Sequence, residues 1–217
     1  MKQSQRPSEP KTKLLDAAMG VIRAKGYTAT TVEDICQAAG VTKGSFFHHF
    51  ETKEQLAIEA AAHFGKMASG LFSAPYRQAA DPLDRVLGYI DLRIAILQGE
   101  LCEYTCLLGT MVQEVYDTHP RIRAACDQQI SEHAAEVAKD IEAAKRLYAP
   151  DKSWSAESLS LHTQAVIQGA LLLAKAKDGP EVAVVCLGHL RRYVELLFNS
   201  PPSKETFHAI SADHQPR

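Results

Sequence analysis

The 217-residue chain has no apolar run of about 18 residues, the length a membrane-crossing helix needs, so no transmembrane span is expected. Its opening stretch, MKQSQRPSEPKTK, lacks the apolar centre of a secretory signal, and the expected location is the cytoplasm. Cysteines number five, an odd count, and none stands in a CxxC pair. A disulfide framework is thereby disfavoured, and the thiols are expected to be free in a reducing compartment. No phosphate-cradling glycine loop, HExxH or GxSxG occurs, and the remaining histidines, cysteines and aspartates are scattered without a catalytic spacing. The expectation is therefore no enzyme, no cofactor and no metal. Cys102 and Cys106 alone would leave a tetrahedral metal site half made. Convincing strand alternation is missing as well.

What is present is helical periodicity in a chain that is 46% hydrophobic, enough for a sizeable core. The net charge of −2 does not by itself announce a nucleic-acid partner. Residues 1–60 nevertheless hold eight Lys/Arg against seven Asp/Glu, whereas the remainder is net acidic. At the extreme start Lys2, Arg6, Lys11 and Lys13 face only Glu9. That composition reads either as an arm that neutralises phosphates or as a solvated tail.

Leu14, Ala18, Val21 and Ile22 recur at helix spacing, and Gly26 ends that helix. Thr31 is placed as an N-cap with Asp34 in the reciprocal capping position, and this second helix stops at Gly40. Thr42 caps a short third helix through Phe50, and Thr52 with Gln55 is read as another capping box that opens a fourth. The segment 41–56, VTKGSFFHHFETKEQL, mixes a lysine, a glycine, a hydroxyl, two adjacent phenylalanines and two histidines. A core helix would not carry the polar members, and a solvated helix would not carry the aromatic ones. Two short helices joined by a tight glycine turn make a helix-turn-helix, whose second helix can enter a DNA major groove. Phe50 and one of Phe46 and Phe47 are expected to be core, with His48 and His49 divided between surface and packing.

Residues 14–56, LLDAAMGVIRAKGYTATTVEDICQAAGVTKGSFFHHFETKEQL, resemble the TetR/AcrR family of bacterial transcription regulators. The resemblance implies an all-α fold: an N-terminal three-helix helix-turn-helix DNA-binding domain followed by a larger C-terminal helical domain that binds an effector and dimerises. The implied organisation is a flexible basic arm (1–10), the DNA-binding domain (11–56), the ligand-binding and dimerisation domain (57–199) and a flexible tail (200–217). The implied DNA-contacting residues are Thr30, Thr31, Thr42, Lys43, Gly44, Ser45, Phe47, His48 and Lys53. Phe47 departs from the tyrosine common at its place, so its contact with DNA would be apolar.

Beyond residue 60, helices are read over 82 to about 98, through CEYTCLLGTMVQEV as one element, from Ile122 along a long helix, and over 156–177 and 180–198. The resemblance makes the last two a dimer interface, with Gly169, Leu172, Gly188 and Leu190 as its candidates and a near-palindromic double-stranded operator as its consequence. It also implies a pocket for a small, largely apolar effector. Phe72, Leu92, Ile96, Cys106, Met111 and Ile130 are its candidate lining, chosen as apolar residues on the middle helices. The CLLG segment is similar to one in electrophile-responsive members of the family, which makes Cys106, with Cys102 four residues before it, a redox candidate. The other reading is a small buried thiol in a pocket wall.

Overall fold

The computed structural model describes residues 9–70 and 74–198, and all its regular elements are helical. Four helices come first: α1 (Glu9–Lys25), α2 (Val32–Ala39), α3 (Lys43–His49) and α4 (Lys53–Ser69). A 3₁₀ turn (Pro75–Gln78) leads into α5 (Pro82–Ala95), α6 (Leu101–Tyr104) and α7 (Leu107–Val115). The long α8 (Pro120–Tyr148) and the hairpin of α9 (Ala156–Lys177) and α10 (Glu181–Leu197) complete the fold. Phe72, most of the basic arm and the tail from 199 lie outside the described residues.

The early helix boundaries follow from local chemistry. Thr31 Oγ1 accepts from Asp34 N at 3.1 Å while Thr31 N donates back to Asp34 Oδ2 at 2.7 Å, a closed capping box. Gly40 ends α2 at φ +65°, in the left-handed region open to glycine. Two residues later Thr42 Oγ1 accepts from Ser45 N at 3.2 Å and starts α3. Thr52 repeats the device for α4, accepting from Gln55 N at 3.0 Å. Each such cap contributes about 1 kcal/mol, which matters for a helix as short as α3.

Two buried clusters organise the chain. The first joins α1–α4 through Leu14, Ile22, Ile35, Phe46, Phe50 and Leu56, and it continues into α7 and the start of α8 through Leu107, Met111, Ile122 and Cys126. The second joins α5, the later turns of α8, α9 and α10. α8 is the spine of both, contributing Ile122 and Cys126 to one and Val137, Ile141 and Ala144 to the other. α4 runs unbroken across residues 56–57, where one domain was expected to end. Burial of each large aliphatic or aromatic residue stabilises by roughly 1.5–3 kcal/mol, so the shared cluster ties the N-terminal helices firmly to α7.

The structure corrects one element. The stretch read as a single helix breaks after Tyr104: Thr105 is extended, and Cys106 is the N-cap of α7, its Sγ accepting from Gly109 N at 3.5 Å. Cys102 and Cys106 therefore do not share one continuous helical face.

Candidate functional site

α3 buries one residue of its own, Phe46, and its C-cap Phe50 is buried beside it, the two rings 5.7 Å apart. Lys43, Gly44, Phe47 and His48, spaced one and four apart, line the opposite face and are exposed. Phe47 keeps 58% of its surface open although it is the largest apolar group on that face. Ser45 and His49 are half-buried, and Thr42 is exposed. A Cβ at Gly44 would meet only Thr42 Oγ1, at 3.7 Å, so nothing inside the chain demands glycine there. Lys43 Nζ rests 2.5 Å from Glu33 Oε1 of α2, an exposed pair worth at most about 1 kcal/mol and open to exchange for another anion.

Two expected contacts are placed elsewhere. Thr30 is fully buried, its Oγ1 donating to Gly26 O at 2.6 Å, so its side chain shapes the α1–α2 turn and is not on the surface. Lys53 is turned inward: its ammonium donates to Tyr27 O at 3.0 Å and Thr30 O at 2.8 Å and lies 4.3 Å from the Tyr27 ring centre. Tyr27 O also accepts from Thr30 N at 3.2 Å, and burial lowers the Lys53 pKa. Thr31 is exposed at the start of α2, engaged with Asp34.

The turn shaped by Thr30 and Lys53 is also gripped from the other side. Glu114, on α7, accepts from Tyr27 N at 2.6 Å and Thr28 N at 2.9 Å. Gly26, at φ +87°, lets the backbone approach, since a Cβ there would lie 2.8 Å from the Glu114 carboxylate. Arg23, one turn earlier, donates from Nε to Met19 O at 3.0 Å and from Nη1 to Glu103 O at 3.1 Å and Thr105 O at 3.4 Å. The break between α6 and α7 is thus bonded directly to the helix that leads into the helix-turn-helix.

That break also walls a partly open cavity of about 180 Å³. Of the expected lining, Ile96, Cys106 and Ile130 are at its wall. Met111 is not: it is fully buried in the cluster shared with α1–α4. Leu92 is half-buried away from the cavity. Choosing only apolar residues missed Arg93, Gln129, His133, Gln164 and Gln168. Gln164 Nε2 donates to the Tyr89 hydroxyl at 3.1 Å, and His133 Nε2 lies 2.8 Å from the same oxygen. Burial, with Arg93 beside it, depresses the His133 pKa to about 4, so the ring is neutral at physiological pH. A second hollow holds both Cys102 and Cys106, together with Arg23 and Lys175.

On α9 and α10 a row of apolar side chains faces outward: Leu161, Leu172, Leu173, Val185, Tyr193 and Leu196, the last 72% exposed. Gly169 lies in this row with open space around it. Gly188 and Leu190, expected at a dimer interface, are instead buried against the chain's own core. Both faces of α10 are apolar, and the packing of α5 and α9 selects which one turns inward.

A helix-turn-helix with an exposed face on its second helix, bonded to a larger helical body, is the architecture of a DNA-binding regulator. Residues 14–60 match the family model described as bacterial regulatory proteins, tetR family, and residues 82–189 match that of the tetracycline-repressor-like C-terminal domain. The chain belongs to the TetR family. Among curated relatives, the transcriptional repressor KstR2 of Mycolicibacterium smegmatis is 35% identical over 85 residues, 38% of this chain and 42% of its own length. A regulator from Lactococcus lactis is 25% identical over 166 residues, 76% of this chain and 83% of its own. The chain spans less than half the length of the first curated relatives it matches. The solved regulatory protein TetR from Rhodobacter sphaeroides superposes with a TM-score of 0.76 at 22% identity, covering 86% of this chain and 99% of that one. Reduced E. coli NemR gives 0.71 at 22%, covering 84% and 96%. At that identity the structural likeness speaks to fold alone.

Proposed function

We propose that this chain is a cytoplasmic, homodimeric transcription repressor that holds a near-palindromic operator through α3 and releases it when a small effector enters the cavity. The observation that carries the reading is the outward face of α3: a capped helix anchored by Phe46 and Phe50 that leaves Gly44, Phe47 and His48 exposed, with Lys43 held only by an exposed pair to Glu33. The curated relatives, named as transcriptional regulators and repressors, support it. Lys43, released from Glu33, meets a phosphate, while Ser45 and His48 reach base edges and Phe47 a thymine methyl or sugar. Thr31 and Thr42 offer hydroxyls and helix N-termini to the flanking backbone. Open space at Gly44 suits close approach of DNA.

Dimerisation through the apolar row of α9 and α10, with Gly169 and Leu172 near its middle, sets two copies of α3 one helical turn of DNA apart. Effector binding changes the α6–α7 break, and Arg23 and Glu114 carry that change to the α1–α2 turn. Release requires the effector to bind the off-operator form more tightly, because equal affinity for both forms shifts nothing. The test is fluorescence anisotropy on DNA from upstream of the protein's own gene: wild type binds, and a Lys43→Ala, Phe47→Ala, His48→Ala variant does not.

Cys106 supports a second reading, thiol-based release by oxidants or electrophiles. It is half-buried at the N-cap of α7, borders both hollows and stands near Arg23 and Lys175. Because the α6–α7 break separates it from Cys102, an adduct on Cys106 fits this reading better than a bond between the two. Loss of operator binding after N-ethylmaleimide in a Cys36→Ala background, but not in Cys36→Ala/Cys106→Ser, would support it. Equal behaviour of the two would make Cys106 a packing residue.

A further inference from the structure

The cavity wall contains a guanidinium with one unmatched nitrogen. Arg93, at the end of α5, lines it with Nε shut off from solvent and without a hydrogen-bond partner. Among the described residues Arg93 has no carboxylate partner. Thr105 contributes a second donor at the same wall, its Oγ1 buried and unpartnered. Buried donors are costly to leave unmatched, and a guanidinium more so than a hydroxyl. The other charges of the wall do not answer Arg93. The Glu103 carboxylate accepts from Glu100 N at 2.9 Å in a capping box, and Arg23 is bonded to three carbonyls. His133 is neutral. The cavity therefore keeps a surplus positive charge beside apolar wall from Phe64, Ile96, Leu108 and Ile130.

Volume limits what can answer it. A cavity of about 150 Å³ takes one benzene ring. At about 180 Å³ this one has room for a single ring and a small charged group. A planar carboxylate matches the two-pronged donor geometry of a guanidinium, and the Thr105 hydroxyl is a further donor for it.

We propose that the effector is a monocyclic organic carboxylate whose carboxylate is received by Arg93, with Thr105 as a second donor and the ring against the apolar wall. This deepens the reading of the cavity as an effector site and rests on it. The test uses the full-length protein and isothermal titration with benzoate, 4-methylbenzoate and phenylacetate, each beside its primary amide. At least one acid is expected to bind wild type about tenfold or more tightly than its amide. Arg93→Gln should bring the pair within about twofold, Arg93→Lys should keep part of the preference, and Thr105→Val should weaken the acid about two- to tenfold. Thr105→Val also reads the site if Arg93→Gln fails to fold. No binding of any acid, equal binding of acid and amide to wild type, or a preference unchanged in Arg93→Gln would overturn the inference. Operator affinity is measured separately without acid. Operator binding with no acid binding sinks the ligand inference alone, whereas acid binding with no operator binding sinks the regulator reading.

Discussion

Replacing Glu114 with alanine should unfasten the α1–α2 turn from α7. The carboxylate accepts two backbone N–H groups, at 2.6 and 2.9 Å, and Lys53 secures the same turn through Tyr27 O and Thr30 O. Hydrogen bonds to a charged group contribute about 1.5–3 kcal/mol each, and solvent access at this site reduces that by roughly half. The pair is therefore worth on the order of 2 kcal/mol, and every 1.4 kcal/mol is a factor of about ten in local opening. Hydrogen–deuterium exchange should show Tyr27 and Thr28 losing about ten- to thirtyfold of their protection, with Leu14 and Ile22 in the α1 core little changed. Glu114→Gln keeps a neutral acceptor and should lie between. The effect also has a pH signature. Burial works to raise the Glu114 pKa, but the bonds from Thr28 and Tyr27 and the charge of Lys53 outweigh it and leave it below the ordinary 4.5. A depressed folded pKa gives a contribution that is complete above the unfolded value and disappears as pH falls through the folded one. Protection at Tyr27 and Thr28 should thus be flat from neutral pH to about 5 and fall below about 4.5 in wild type alone. Exchange at these two amides that is the same in Glu114→Ala as in wild type would refute the linkage.

Other outcomes follow from the same contacts. Lys43→Ala should lower the salt dependence of operator binding by about one unit, read by anisotropy across a salt series. Glu33→Gln, which frees Lys43, should tighten binding by up to about fivefold at low salt and less at high salt. Leu172→Asp should give a folded monomer by light scattering, because its side chain faces outward. Gly188→Asp should instead lower thermal stability by several degrees through burial of an unpaired charge.

Features governed by neighbours in sequence were the legible ones. The Thr31–Asp34 box and the Thr42 cap, each within four residues, form as their spacing predicts; of the box expected at Thr52 and Gln55 the Thr52 half forms, while Gln55 Oε1 accepts from Glu51 N instead. The division of Phe46 and Phe50 inward from Phe47 outward follows from helical spacing once one aromatic is core. The α6–α7 break was hidden because CEYTCLLG keeps an apolar rhythm across it, and a cysteine is an unusual N-cap. Leu190 and Gly188 were misplaced because both faces of α10 are apolar, and periodicity cannot say which of two faces meets the chain's own core. Thr30 and Lys53 were read as surface groups, but the partners that draw them inward are carbonyls of the α1–α2 turn, which no side-chain pattern reports. Arg93 escaped as a cavity residue because the lining was sought among apolar positions, and the polar members of a cavity wall leave no apolar pattern to follow.

Hydroxyl-radical footprinting of the full-length protein on DNA upstream of its own gene asks whether α3 reads DNA as one half of a symmetric pair. The expected result is two protected half-sites about one helical turn apart, roughly 10 base pairs centre to centre, absent with the Lys43→Ala, Phe47→Ala, His48→Ala variant. Protection that persists in that variant, or a single unpaired protected site, would contradict it.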